Sequence, residues 1–398
     1  MKIGSTIYFD HQATTPVDYR VLAEMMPLFC DSFGNPHSSD HSLGWESACA
    51  IDEAAARVAR LVGADADEVV FTSGATESNN LALLGLGRRL AGGKRRRILM
   101  SAVEHKSVLF VGRVLSEQCG FTVESIPVGS EGFVELSALD AVLDDDVLVV
   151  SVLAVNNEIG TIQDIARLSG LIRSCGAVFH CDAAQAPVAM SIEEIALYSD
   201  IVSLSAHKMY GPKGIGAVCV SRQLQDKIEP VVYGGGQQNG LRSGTVPVPL
   251  CVGMGAAANL LAGGDADERR AELRRRTDMF VDGLKGLSWP IAVNGPMGSA
   301  RHPGNASIRF VGFEAHDILS ALQPRLAAST GSACTSGIPE PSHVLRAIGL
   351  DQEEAESSVR FSLGFSTSDE DVDEAVGLIQ ETLARLSKAQ LVQGIPRR

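Results

Sequence analysis

The chain has no Cys-x-x-Cys pair. Its eight cysteines are scattered without a regular framework, which argues against a disulfide scaffold and a structural zinc site. No run approaches the roughly 20 apolar residues needed to cross a bilayer, and Met1 to Asp10 lacks the basic and apolar segments of a signal peptide. A cytoplasmic protein with no membrane partner is therefore expected. Basic charge is in deficit: 34 Lys and Arg stand against 48 Asp and Glu, a net charge of -14, so no nucleic-acid partner is expected. The one basic run, Lys94 to Arg97, reads as a solvated loop before a strand. A Gly-x-Gly-x-x-Gly turn opening a helix after an early strand is missing too, which weakens any nicotinamide-dependent reading.

What is present suits a large enzyme. The 398 residues, 45% hydrophobic, suggest two or three lobes at about 150 residues each. From about Val69 to Val220, short β-branched runs alternate with helical stretches, the pattern of a mostly parallel sheet covered by helices. Strands are expected at Glu68 to Thr72, Ile98 to Ser101, Val147 to Ala154, Ala177 to Cys181, Ile201 to Ser205 and Gly216 to Val220. Helical periodicity marks Ser78 to Arg89, Ser107 to Gln118 and Ile165 to Cys175. A Gly/Pro-rich connector, Tyr233 to Pro249, leads into a long helical pattern from about Val252 to Leu287, read as an arm to a second lobe. That lobe holds a strand at Ala306 to Phe310, a helix at Ala315 to Leu322 and an amphipathic helix from Asp369 to Leu386. Cys30, Cys49, Cys175, Cys181, Cys219 and Cys251 lie among apolar or periodic residues and read as core thiols.

Three segments carry chemistry. In Thr72-Ser73-Gly74-Ala75-Thr76-Glu77-Ser78 a strand ends in a small-residue turn that opens a helix, which is either an anion cradle or an ordinary cap. In Val178-Phe179-His180-Cys181-Asp182 a carboxylate falls at a strand's C-terminal edge, where it can face a cationic ring nitrogen or cap the next helix. In Ser205-Ala206-His207-Lys208 a lysine follows another strand end, where it is a Schiff-base amine or a surface residue. Their order on one sheet supplies the phosphate anchor, pyridinium partner and amine that pyridoxal phosphate requires.

These segments resemble the fold-type I pyridoxal-phosphate enzymes, in the class V aminotransferase branch that includes cysteine desulfurases. The resemblance covers nearly the whole chain. It extends to Phe9-Asp10-His11-Gln12-Ala13-Thr14-Thr15-Pro16, Phe33-Gly34-Asn35-Pro36, Glu104-His105-Lys106, Val155-Asn156-Asn157-Glu158-Ile159-Gly160, Arg242-Ser243-Gly244-Thr245 and Gly331-Ser332-Ala333-Cys334-Thr335-Ser336. It implies an α/β fold with a large cofactor-binding domain over 15–260, and a smaller α+β domain from 1–14 and 261–398. It implies that Lys208 carries the cofactor, Asp182 pairs with its ring nitrogen, His105 stacks on the ring and Gln185 bonds its phenolic oxygen. Ala75, Thr76, Ser205 and His207 would anchor the phosphate, with Thr245 supplied by the other subunit of a homodimer. Asn157 and Arg360 would hold the substrate carboxylate, Asn157 also bordering the cofactor, and no metal is implied.

Cys334 stands apart from the other cysteines in a run of small, polar, turn-forming residues that reads as a loop. The resemblance makes it the thiolate that takes sulfur from L-cysteine and leaves alanine, with His105 as candidate base. The Gly-Ser-Ala-Cys-Thr-Ser form resembles the long-loop desulfurases that pass sulfur to an acceptor protein in iron-sulfur cluster assembly or tRNA thiolation. His11-Gln12 and Ala206 depart modestly from the family pattern. The competing expectations are a class V aminotransferase or selenocysteine lyase, and a scaffold without turnover, which would need none of Lys208, Asp182 and Cys334.

Overall fold

The computed structural model describes residues 1–331 and 342–393. A seven-stranded sheet organises them, in the spatial order Val69–Thr72, Gly216–Val220, Ile201–Ser205, Val178–Asp182, Val147–Ser151, Arg97–Ser101, Thr122–Ile126. Gly216–Val220 runs antiparallel to both its neighbours, and the remaining pairings are parallel. The strands Val147–Ser151, Ile201–Ser205 and Gly216–Val220 are buried along their whole length. Helices cover both faces, as continuous apolar strand sequences require. Five parallel strands end in a polar residue: Thr72, Ser101, Ser151, Asp182 and Ser205. One edge of an apolar sheet thus becomes a row of hydroxyls and a carboxylate, the edge where open α/β sheets bind ligands.

Each strand expected from the sequence forms, with ends moved by up to three residues. The edge strand Thr122–Ile126 was not anticipated, because its TVESI sequence is short and mostly half-exposed. The expected arm from Val252 to Leu287 is two helices, Val248–Leu261 and Ala266–Lys285. They part at Ala262-Gly263-Gly264-Asp265, where paired glycines disfavour helix. The first buries nine of its fourteen residues and crosses the helix Ser42–Val62 so closely that a Cβ on Gly255 would lie 2.8 Å from Ala54 Cα. The second is amphipathic and presents Leu273, Phe280 and Leu284 to the core.

A second sheet, Ile291–Val293, Asn305–Phe310 and Ser358–Ser362, is antiparallel throughout. Phe280 joins it to the N-terminal segment, with its ring centroid 5.4 Å from Phe9 and 5.1 Å from Phe361. Each such aromatic pair adds about 0.5–1.5 kcal/mol beyond its buried area. Ser362 N–H also donates to the Phe9 carbonyl at 2.7 Å. The turn after Phe9 is thereby delivered to the polar edge of the large sheet.

Two surface expectations are corrected. Cys30 and Cys49 are exposed, while Cys181, Cys219 and Cys251 are buried and Cys175 is half-buried. Helical periodicity places a residue on a face without saying which face meets the core. The run Lys94 to Arg97 is no free solvated loop: Arg95 donates to the Cys175 carbonyl at 2.8 Å, and Arg97 begins a strand and pairs with Glu124 and Asp144.

Candidate active site

The cradle forms where the strand Val69–Thr72 turns into the helix Ala75–Asn79, which continues through a widened π-type turn, Asn80–Leu84, to Arg89. Gly74 caps this helix at φ 150°, a conformation that favours glycine. The turn lies against Gly216, where an added Cβ would sit 2.6 Å from Gly74 Cα, so the neighbouring strand must also carry glycine there. The first N–H groups of the helix, at Ala75 and Thr76, have no partner within it. Ser205 Oγ lies 3.8 Å from the Cβ position of Gly74, placing a hydroxyl beside them. Thr72 and Ser78 hydroxyls bond each other at 2.7 Å, and Arg242 grips Glu77 at 2.8 Å, which hold the turn in shape.

Lys208 follows Ser205 on the short turn Ala206–Lys208. Its Nζ donates to the carbonyls of Gln12 and Ala13, the latter at 2.8 Å. Gln185 Nε2 donates to the same Gln12 carbonyl at 3.0 Å, so the amine and the amide converge on one point. Desolvation, helped by the nearby Arg360 charge, lowers the Lys208 pKa to about 8, while Asp10 and Asp182 oppose the shift. Because the neutral amine is the nucleophile, imine formation with added pyridoxal phosphate is expected to accelerate as pH rises, half-maximal near 8 rather than near the 10.5 of an ordinary lysine. Stopped-flow absorbance on cofactor-free protein reads this directly, and a midpoint near that of free lysine would contradict it.

Asp182 is buried at its strand end; its Oδ1 accepts from Ala184 N–H at 3.0 Å and its Oδ2 from Asn79 Nδ2 at 2.7 Å. His105 caps the helix Lys106–Cys119 and stands exposed to the cleft. Desolvation by the surrounding protein nonetheless lowers its pKa, with Asp182 opposing and Lys208 adding to the fall. His207 Nδ1 lies 3.2 Å from Thr14 Oγ1, and burial, with Lys208 and Lys213 nearby, lowers its pKa to about 4. Thr245 is exposed.

Arg360, buried in the strand Ser358–Ser362, is fixed by three partners. Its guanidinium donates to Asp10 Oδ1 at 2.7 Å, Ser329 Oγ at 2.9 Å and the Asn157 carbonyl at 2.8 Å. Its Nε is buried without a partner. Cys334 lies outside the described residues. The described residues on either side of its segment both meet buried Glu158: Ser342 Oγ donates to Glu158 Oε2, and a Cβ on Gly331 would lie 3.3 Å from Glu158 Cγ.

These groups fit pyridoxal phosphate. Free helix-start N–H groups and Ser205 suit a phosphate, Asp182 retains lone pairs for a ring N–H, and the amine that must form the imine is part-buried with a lowered pKa. Residues that site reasoning did not single out also contribute: Asp10 and Ser329 orient Arg360, Gln12 and Ala13 seat Lys208, and Asn79 holds Asp182. Glu104 is buried beneath, its pKa pushed well up by burial and then by the Asp182 charge. Asp10, Gln12 and Glu104 stand in recognised motifs, whereas Asn79 carries no signal of its own. A separate acidic depression bordered by Glu314, Asp317, Glu353 and Leu386 shares no residue with this site.

Comparison with known proteins agrees with this arrangement. The aminotransferase class-V family profile matches residues 7–375. Cysteine desulfurase IscS of Rickettsia bellii (strain OSU 85-389) is 43% identical over 380 residues, covering 96% of this chain and 92% of that protein. A solved NifS-like protein superposes with a TM-score of 0.88 at 33% identity, over 95% of this chain and 99% of that one. SspA in complex with cysteine gives 0.78 at 34% identity, over 91% of this chain and 100% of that one.

Proposed function

We propose, from the premise that this chain belongs to the class V aminotransferase family and is a pyridoxal-phosphate-dependent cysteine desulfurase, that Lys208, Asp182, Arg360 and Cys334 carry its reaction. Bound in the cradle, pyridoxal phosphate supplies an electron-poor ring that accepts the electrons released at the substrate α-carbon. Asp182 keeps the ring nitrogen protonated. Ala75, Thr76, Ser205 and His207 hold the phosphate, Gln185 faces the phenolic oxygen and His105 covers the ring.

Arg360 receives the carboxylate of L-cysteine through its planar fork, with Asn157 beside it. Its rigid seating on Asp10, Ser329 and the Asn157 carbonyl fixes where the substrate sulfur lies. Lys208 Nζ would move the proton of the substrate α-carbon. The Cys334 thiolate then attacks the substrate sulfur: an S–S bond forms, the C–S bond breaks, and the carbon fragment takes up protons to leave as alanine. The persulfide on Cys334 passes to an acceptor protein of iron-sulfur cluster assembly or tRNA thiolation, a reading supported by the long-loop form of its sequence.

The enzyme works as a cytoplasmic homodimer. Tyr19, Leu22, Met26, Phe29, Phe33 and Trp45 form a run of exposed apolar side chains of the kind that marks an interface. Thr245, exposed on its own subunit, is then free to complete the partner's cradle. No helix among the described residues is long and apolar enough to cross a membrane. A boundary between large and small domains at 260/261 falls beside the break between the helices Val248–Leu261 and Ala266–Lys285, and 1–14 packs with the small domain through Phe9.

The single observation that carries this reading is the convergence of the part-buried Lys208 amine, the strand-end Asp182 and the Arg360 fork on one edge of the sheet. The test is product analysis: purified yellow protein given L-cysteine and a thiol reductant is expected to release alanine and sulfide in equal amounts. A 2-oxo acid product would favour an aminotransferase, and turnover confined to L-selenocysteine would favour a selenocysteine lyase.

A further inference from the structure

Both imidazole nitrogens of His105 matter to what it can do in the cleft, and the residues behind the ring decide between them. Ser107 N–H donates to His105 Nδ1 at 3.1 Å, and Ser107 Oγ lies 2.7 Å from the same nitrogen. A neutral imidazole has one lone-pair nitrogen and one N–H. The backbone donor therefore places the lone pair at Nδ1 and the hydrogen at Nε2. Ser107 Oγ in turn accepts from Asn79 Nδ2 at 2.9 Å, which leaves the hydroxyl hydrogen to point at His105.

The same Asn79 nitrogen donates to Asp182 Oδ2 at 2.7 Å. Asn79 is fully buried, and its Oδ1 has no partner. The reverse orientation of the amide would press Oδ1 against a carboxylate oxygen, acceptor on acceptor, so Asp182 sets which way the amide faces. Asn79 ends the helix Ala75–Asn79 just before the widened turn Asn80–Leu84, a local change of pitch that occurs mostly at functional sites.

We propose that Asn79 is a positioning residue that joins Asp182 and His105 into one hydrogen-bonded unit, Asp182–Asn79–Ser107–His105, so that His105 presents an N–H rather than a lone pair to the cleft. This rests on the reading of Asp182 and His105 as the two groups flanking the cofactor ring. It replaces the expected role of His105 as the base that ionises Cys334. To accept a proton at Nε2 the ring would first have to give up the Ser107 N–H bond and exchange tautomers. His105 instead donates a hydrogen bond to whatever negative charge develops on the substrate side of the ring. The other charged groups facing it are Lys208, Lys106 and His343, besides Asp182.

The test is two-bond nitrogen–proton NMR of isotope-labelled histidine in the cofactor-loaded enzyme, with a His105→Gln sample to assign the signal. Nδ1 of His105 is expected to carry no proton at a pH where the ring is neutral; a protonated Nδ1 overturns the proposal. Ser107→Ala removes only the hydroxyl that links His105 to Asn79, and it is expected to shift the Nδ1 resonance. An unmoved resonance overturns the link. Asn79→Leu keeps the volume without the donors and is expected to raise the dissociation constant for pyridoxal phosphate by roughly 10- to 100-fold, the loss typical of a hydrogen bond to a charged group. Unchanged affinity in folded protein also counts against the proposal. Failure of the wild-type protein to develop colour with pyridoxal phosphate would instead sink the cofactor reading itself; the same tautomer measurement on the cofactor-free protein tests the hydrogen-bonded unit independently of it, and a protonated Nδ1 there also overturns the proposal.

Discussion

Replacing Lys208 with alanine is expected to leave a folded protein that lacks the imine absorption band and turns over L-cysteine roughly 10⁴-fold more slowly or worse, the upper end of what a positioned proton-transfer group contributes. The amine makes two contacts, both with backbone carbonyls of the turn after Phe9. Because Lys208 is only part-buried, water can replace them, so the melting temperature should change little. The chemical loss has no such substitute. Lys213 follows five residues later, but among the described residues it is Lys208 that lies against the Gln12 and Ala13 carbonyls and near Arg360, Asp10 and Asp182. Absorbance before and after borohydride reduction, with mass spectrometry of the modified peptide, checks the assignment. A reduced adduct on another lysine, or a persisting band, would overturn it.

Cys334→Ser is expected to abolish persulfide formation and sulfide release while leaving the cofactor absorbance intact. A serine hydroxyl is not ionised near neutral pH, whereas an unperturbed thiol at about 8.5 is already a few per cent thiolate. The buried cysteines offer no replacement. Burial pushes Cys219 and Cys251 up to about 12 and raises Cys181 well above its usual value, so these stay as thiols. Cys30 and Cys49 are exposed, on the helices Pro27–Cys30 and Ser42–Val62, which contribute nothing to the Lys208 seat. Measurement of alanine and of enzyme-bound persulfide separates the outcomes. Normal desulfuration by the serine variant would show that sulfur leaves by another route.

The sheet was legible because buried parallel strands read as unbroken β-branched runs ending in polar residues. Thr122–Ile126 escaped because an edge strand buries little and the adjacent Glu124 and Ser125 break the polar/apolar alternation that marks a strand, and the break at Gly263-Gly264 was hidden inside a continuous helical pattern. Of the site, Lys208, Asp182 and the Gly74 turn were visible, since each stands at a strand end where side-chain chemistry departs from packing. Asp10, Ser329 and Asn79 were not assigned roles, because what each does depends on a partner far away in the chain: Asp10 meets Arg360 350 positions on, and Asn79 meets Asp182 103 positions on. The tautomer of His105 was invisible for another reason. It depends on the direction of one backbone N–H, which no pattern of residue types encodes.

The seat of Lys208 has a temporal side. Gln12 and Ala13 reach the amine because their segment is clamped to the strand Ser358–Ser362, with Gln12 N–H donating to Ser362 Oγ 350 positions further on. A ribosome must therefore deliver nearly the whole chain before the first residues made can find their place. Until then Asp182 and the phosphate cradle, the latter complete once Gly216 and Arg242 have been made, can assemble while the amine's resting position is absent. Capture of the cofactor in its reactive geometry is thus a late event in the life of the nascent polypeptide, and a truncated product would carry the pocket without the means to use it.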